Sequence, residues 1–198
     1  MKPIEFWFDF SSPYAYFLSE LIGPVAERHG RDVGWRPTLL GAVFKASGGA
    51  PLTEIPVKGP YSRHDFVRSA RFHGLPFRIP SAFPIGTVNA ARAVLWLQES
   101  DAARAIPFIH AAFRAYFVDD RNLSDPAVLA QLARDSGVDA DTMAQAIASQ
   151  TIKDKLKANV DESMARGVFG VPFVFVDGEP FWGHDRLPQI ERWLQGPF

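Results

Sequence analysis

The sequence predicts an α/β protein with a split sheet, its strands at both ends of the chain and an all-helical block between them. Three observations carry this. The first forty residues pass from a period-two apolar pattern to a helical one and back again. From Tyr61 to about Arg166 every strong pattern is helical, and from Phe173 the chain returns to a short apolar β run with a two-residue turn. The order is β-α-β, helices, β-β-α, so the two ends must meet to complete one sheet.

In the first strand Ile4, Phe6, Phe8 and Phe10 alternate with Glu5, Trp7 and Asp9. The strand breaks at Ser11-Ser12-Pro13. Ser12 stands at the N-cap position and Pro13 at the first helical residue, where proline's missing N–H costs nothing. Tyr14, Phe17, Leu18, Leu21, Ile22 and Val25 fall at helical spacing, and Gly30 ends the run. Asp32 to Pro37 reads as the second strand. Leu39 to Pro60 reads as a long Gly- and Pro-rich loop with AVFK as a candidate helical turn, and loops of that length are commonly functional.

Within the helical block, Ile106, Ile109, Phe113 and Phe117 mark one apolar stripe. Val128, Leu129 and Leu132 mark a second, and Ile152, Leu156 and Val160 a third. Asp125-Pro126 is an N-cap and N1 pair, and Gly137 closes that helix before Val138-Asp139 opens the next. Phe173 to Val176 form the third strand, Asp177-Gly178 the hairpin turn, and Pro180-Phe181-Trp182 the return strand. Gly183-His184-Asp185 opens a final helix with Leu187, Ile190, Trp193 and Leu194 as its apolar face. The expected division is residues 1–38 with 167–198 for the sheet domain, and 39–166 for the loop and inserted helices.

Composition narrows the function. The 198 residues are 47% hydrophobic and 22% charged, with a net charge of −1 and no runs of Lys or Arg. That lacks the electrostatic footprint of a nucleic-acid or anionic-membrane binder. No apolar segment is long enough to span a membrane, and the first residues lead straight into a strand without a signal-peptide pattern, so the cytoplasm is the expected compartment. There is no cysteine, which excludes disulfides, thiolate metal ligands and cysteine nucleophiles.

Candidate residues have ordinary and functional readings side by side. From the residues alone Ser12 reads first as a plain helix cap, with a hydroxyl at an electropositive helix end that helps hold an anion as the second reading. Ser11, one residue further out, fits a loop serine. From the residues alone Val171-Pro172 reads as trans, since cis is the minority form of X–Pro bonds. Asp185 fits a cap of the last helix and also a carboxylate for a ligand ammonium. The histidines at 29, 64, 73, 110 and 184 show no metal-ligand spacing; surface or capping roles and no metal site are expected. No GxSxG, GxGxxG or GxxxxGK[ST] motif is present, so neither a hydrolase triad nor a phosphate loop has support.

Three stretches together, FDFSSPYAYF, FGVPFVFVDG and WGHDRLPQIERWL, resemble the DsbA-like, thioredoxin-like proteins with a helical insertion. They are most similar to 2-hydroxychromene-2-carboxylate isomerases and the related kappa-class glutathione transferases. In redox members of that superfamily the strand-to-helix turn carries Cys-x-x-Cys. Here Ser12-Pro13-Tyr14-Ala15 occupies the place, and dithiol exchange is impossible without sulfur. The resemblance implies that glutathione supplies the thiol, that the helix end favours its thiolate, and that the Ser12 hydroxyl donates to the sulfur.

Further positions follow from the same resemblance. Val171-Pro172 corresponds to the superfamily's cis-proline turn, whose backbone pairs with the cysteinyl part of glutathione like an added strand. In the WGHD run, Trp182, Gly183, His184 and Asp185 fall on the glutathione site, with His184-Asp185 matching the pair that receives the γ-glutamyl end; His184 replaces a serine or asparagine. Lys45 and Lys58 match lysines of the site's loop and would meet carboxylates of glutathione or of the substrate. The family's asparagine beside the glycine loop is Gly49 here, and a substrate-side tyrosine is replaced around Phe83-Pro84. The implied activity is a glutathione-dependent isomerisation of a small aromatic carboxylate, in a homodimer. A kappa-like transferase and a non-catalytic thioredoxin-like binding module are the alternatives.

Overall fold

The structure is a computed structural model and describes residues 2–196. Strand β1 (Ile4–Phe8) leads into helix α1 (Pro13–Arg28) and strand β2 (Val33–Pro37). Then come α2 (Leu40–Ser47), a 3-10 turn (Leu52–Glu54), α3 (Lys58–Phe72), α4 (Val88–Ser100), α5 (Ala102–Phe117), α6 (Pro126–Asp135), α7 (Ala140–Ala148) and α8 (Gln150–Ala165). Strands β3 (Phe173–Val176) and β4 (Glu179–Trp182), a second 3-10 turn (His184–Arg186) and α9 (Leu187–Leu194) complete the chain. The sheet order is β2-β1-β3-β4. β1 runs parallel to β2 and antiparallel to β3, with Phe6 opposite Trp35 on one side and Val174 on the other. This is the split sheet with a helical insertion that the sequence predicts.

β1 is the centre of the core because both of its faces are covered. Phe6, Phe8 and Phe10 meet Trp35, Phe113 and each other at ring separations of 4.8 to 6.0 Å. Each such side chain taken out of water contributes about 1.5–3 kcal/mol. The alternation predicts a polar opposite face, but Trp7 and Asp9 are buried too. Arg36 lies over the Trp7 ring at 4.9 Å, and its guanidinium and that of Arg166 pair with Glu162 and Glu5. A sandwich of charged stems and ion pairs therefore covers what a bare alternation leaves to solvent.

The expected long loop over 39–60 is instead helical at both ends: α2 closes on Gly48 in the left-handed region, and α3 begins at Lys58. Glycine and proline there punctuate short helices and do not abolish them. Ile106, placed on the α5 stripe, is exposed, whereas Ile109, Phe113 and Phe117 are buried. Asp125 caps α6 and Asp139 caps α7 through their side chains, as their positions predict. Asp177 and Gly178 both take positive φ, the turn geometry that joins β3 to β4. Among the described residues no helix is long and apolar enough to cross a membrane.

Candidate functional site

The site is built where β1 ends. Ser12 is 5% exposed and caps α1 in extended geometry, its Oγ accepting from Ala15 N–H at 3.2 Å. The same hydroxyl donates to the Val171 carbonyl at 3.2 Å, across 159 residues of sequence. Val171-Pro172 is cis, against the trans expectation from the residues alone and in line with the resemblance. Gly183 N–H donates to the Pro172 carbonyl at 3.0 Å and brings the WGHD run alongside. Two backbone donors at this corner, Tyr14 N–H and Val171 N–H, have no acceptor among the described residues. A helix start with an unpaired amide, a buried hydroxyl and a second amide without an acceptor is the kind of donor set an anion or peptide backbone can use.

His184 is half-buried, not a surface or capping histidine as expected. Its ring stacks flat on Tyr14, 4.8 Å away with 7° between planes, and His73 meets it edge-on at 5.5 Å. Tyr14 Oη donates to Asp65 Oδ2 at 2.6 Å, and Asp65 is paired with Arg68. Burial, reinforced by the Asp65 bond, pushes the Tyr14 hydroxyl well above the usual phenol range. Burial and then the neighbouring His73 hold the His184 imidazole below its ordinary value, against the opposing pull of Asp185 and Asp65. At neutral pH this stack is a neutral imidazole on a neutral phenol.

The remaining predicted residues are placed differently. Asp185 does not cap the last helix: the 3-10 turn intervenes, α9 starts at Leu187, and its cap position is Arg186. The Asp185 carboxylate is exposed, 3.6 Å from Arg186, and folds back over Gly183. Gly183 has φ +109°, a conformation that requires glycine, and a Cβ there would displace the exposed Asp185 carboxylate. Trp182 lies half-exposed with Nε1 over Gly170, 2.9 Å from where a Cβ would be, and packs on Phe169. Lys45, on the last turn of α2, and Lys58, the first residue of α3, are both exposed. Neither ammonium has a carboxylate partner among the described residues. The structure thus joins Ser12, Val171, Pro172, Gly183 and His184 directly, and links the lysines to them only through their helices.

Phe83-Pro84 is also cis, and Phe83 lies against Phe66 and Tyr116. Sequence reasoning did not name Asp65, read His73 as a surface or capping histidine and gave Asp9 no role beyond its strand position. The first two become neighbours of Tyr14 and His184 only through packing, but an acid inside an aromatic strand was a visible signal at Asp9. Among the described residues no three His, Asp or Glu side chains cluster as a metal site would need.

The DSBA-like thioredoxin domain matches residues 3–195. A 2-hydroxychromene-2-carboxylate isomerase of Sphingobium xenophagum is 31% identical over 98% of this chain and 98% of its own length. The chain belongs to the 2-hydroxychromene-2-carboxylate isomerase family, within the DSBA-like thioredoxin domains. Glutathione s-transferase kappa 2 of Caenorhabditis elegans is 28% identical, over 100% of this chain and 93% of its own. The solved structure of a selenomethionine 2-hydroxychromene-2-carboxylate isomerase superposes with a TM-score of 0.88 at 23% identity, covering 97% of this chain and 94% of that one. The family is therefore one of isomerases and glutathione-related transferases.

Proposed function

We propose that the protein is a glutathione-dependent cis–trans isomerase acting on 2-hydroxychromene-2-carboxylate or a similar aromatic keto acid. The observation that carries this reading is the donor set at the α1 start: Ser12 Oγ with the unpaired Tyr14 and Val171 amides, in a chain without sulfur nucleophiles of its own. Glutathione would supply the thiolate, whose reversible addition to the conjugated double bond lets that bond rotate before the thiolate leaves again.

The chain's own residues divide the remaining work. Val171 N–H donates to the cysteinyl backbone and Val171 C=O accepts from it in strand fashion, which frees the Ser12 proton from the Val171 carbonyl to turn toward sulfur. The α1 start favours the anionic sulfur over the thiol. Asp185, beside Gly183, holds the γ-glutamyl ammonium, and Trp182 and His184 wall the corner. Lys45 or Lys58 meets the substrate carboxylate, and the aromatic lining about Phe83 takes the ring. The expected compartment is the cytoplasm and the expected assembly a homodimer.

The decisive experiment incubates the purified protein with the chromene carboxylate with and without glutathione. Isomer formation only in the presence of glutathione supports the reading. Conjugation of a general electrophile without isomer formation favours the kappa-like transferase, which the 28% relative keeps in view. Ligand binding without turnover of either kind leaves a binding module.

A further inference from the structure

Asp9 has no part in the reaction above, yet it is 3% exposed at the end of β1, three residues before Ser12. A carboxylate taken out of water with no cation beside it is costly unless hydrogen bonds replace its hydration. Four donors do so in part here, and burial still outweighs them, holding the Asp9 carboxyl above the ordinary carboxylate value. Oδ1 accepts from Ser11 N–H at 2.8 Å, Ser11 Oγ at 2.9 Å and Thr87 Oγ1 at 2.8 Å, and Oδ2 accepts from Leu40 N–H at 2.7 Å.

These donors come from three separate helix starts. Ser11 precedes α1, Leu40 is the first residue of α2, and Thr87 precedes α4. Neither α2 nor α4 has a side-chain cap of its own: Leu39 has no capping group, and Thr87 spends its hydroxyl on Asp9. A single carboxylate 31 residues away in sequence replaces the local cap of α2. Lys45 sits on the last turn of that same eight-residue helix.

We propose that Asp9 is a positioning residue, which clamps the start of α2 to the Ser11–Ser12 turn and so holds Lys45 at a fixed offset from the thiol corner. The role assigned to Lys45 rests on the isomerase reading; the clamp itself does not. Asp9→Asn separates the two halves of the clamp by chemistry. Its remaining oxygen satisfies the larger group of donors around Ser11 and Thr87, and its NH2 then faces Leu40 N–H, donor against donor. The turn is kept and α2 is released.

The test is a double-mutant cycle with hydrogen exchange beside it. In Asp9→Asn, glutathione affinity stays within about two-fold of the parent, while kcat/KM for the chromene carboxylate falls by up to about five-fold, no further than in Lys45→Ala itself. Lys45→Ala lowers kcat/KM in the parent but adds little in the Asp9→Asn background, because the lysine is already out of register. Amide exchange at Leu40 and the first turn of α2 speeds up by about ten-fold or more, with α1 unchanged. Independent, multiplying losses from the two substitutions, or unchanged exchange at Leu40, would overturn the proposal. If the parent turns over no chromene the isomerase reading fails, and exchange alone decides the clamp; if Lys45→Ala leaves the parent's kcat/KM unchanged, the placement of Lys45 for substrate is overturned. Should Asp9→Asn not fold, Leu40→Pro removes the same N–H at a first helical position that admits proline, with Leu39 already extended; it must give the same pattern in the cycle.

Discussion

The Ser12 corner and the two lysine-bearing helices answer to different physics. The corner is assembled from backbone: residues 12, 171 and 183 lie far apart in sequence and are tied by hydrogen bonds of 3.0 to 3.2 Å in a buried setting. The lysines stand on the surfaces of α2 and α3, solvated and unpaired. Backbone donors cannot be exchanged by mutation and suit a ligand that never varies. Exposed side chains are easily exchanged and suit the part of the site that selects among substrates. On the proposed glutathione-dependent reading, thiol holding and substrate choice would be encoded in separate layers of the fold.

Ser12→Ala breaks the corner most directly. It should lower glutathione-dependent turnover by about 100-fold, the usual loss when a preorganised donor to developing charge is removed. It should cost only about 1–3 kcal/mol in a denaturation curve, from the lost cap and the Val171 carbonyl left unpaired. A loss of turnover that merely tracks the loss of folded protein would remove the distinction between corner and scaffold.

Gly183→Ala attacks the corner through conformation. With φ +109° and Asp185 Oδ1 in the way, the methyl should destabilise the fold by about 1–3 kcal/mol and weaken glutathione binding together. Titration calorimetry with unchanged affinity would show that Asp185 is not held by this turn.

On the other side of the comparison, Lys45→Ala and Lys58→Ala should leave thermal stability nearly unchanged, as exposed substitutions do. At least one should raise KM for the aromatic carboxylate by about five-fold, with glutathione affinity kept. If both leave KM alone, the carboxylate is held elsewhere.

The smallest expected effect is a trend with pH. The His184 imidazole is held below the unfolded value of 6.5 by burial and His73. Its stability contribution is therefore full above that value and lost as pH falls through the lowered one. His184→Phe keeps a ring on Tyr14 and has nothing to protonate. Melting curves from about pH 7 to about pH 5 should fall more steeply for the parent than for the variant. Parallel slopes would place the titration elsewhere.

Local chemistry was legible wherever neighbours in sequence are neighbours in space. The Ser12-Pro13 start of α1, the Asp125 and Asp139 caps and the Asp177-Gly178 turn all follow from residue types at adjacent positions. Two readings failed, one through a distant group and one through the local path of the chain. Leu39 to Pro60 lacked a visible capping residue for a helix, because the cap for α2 is Asp9. Asp185 looked like a helix cap, but the chain winds into a 3-10 turn first and the carboxylate folds over Gly183 instead. His184 read as a surface residue because nothing near it in sequence announces Tyr14 and His73 as ring neighbours.

The sequence by itself determined the order of the strands around a helical block, the absence of cysteine, and a serine at the start of the first helix. Those depend on side-chain type and on periods of two and 3.6 residues, which act over a few positions. Only the tertiary structure decided that Ser12 would face Val171, that His184 would lie flat on Tyr14, and that one buried carboxylate would serve three helix starts. Such contacts join residues tens to more than a hundred positions apart, and their partners are chosen by how helices and sheet pack around the aromatic core.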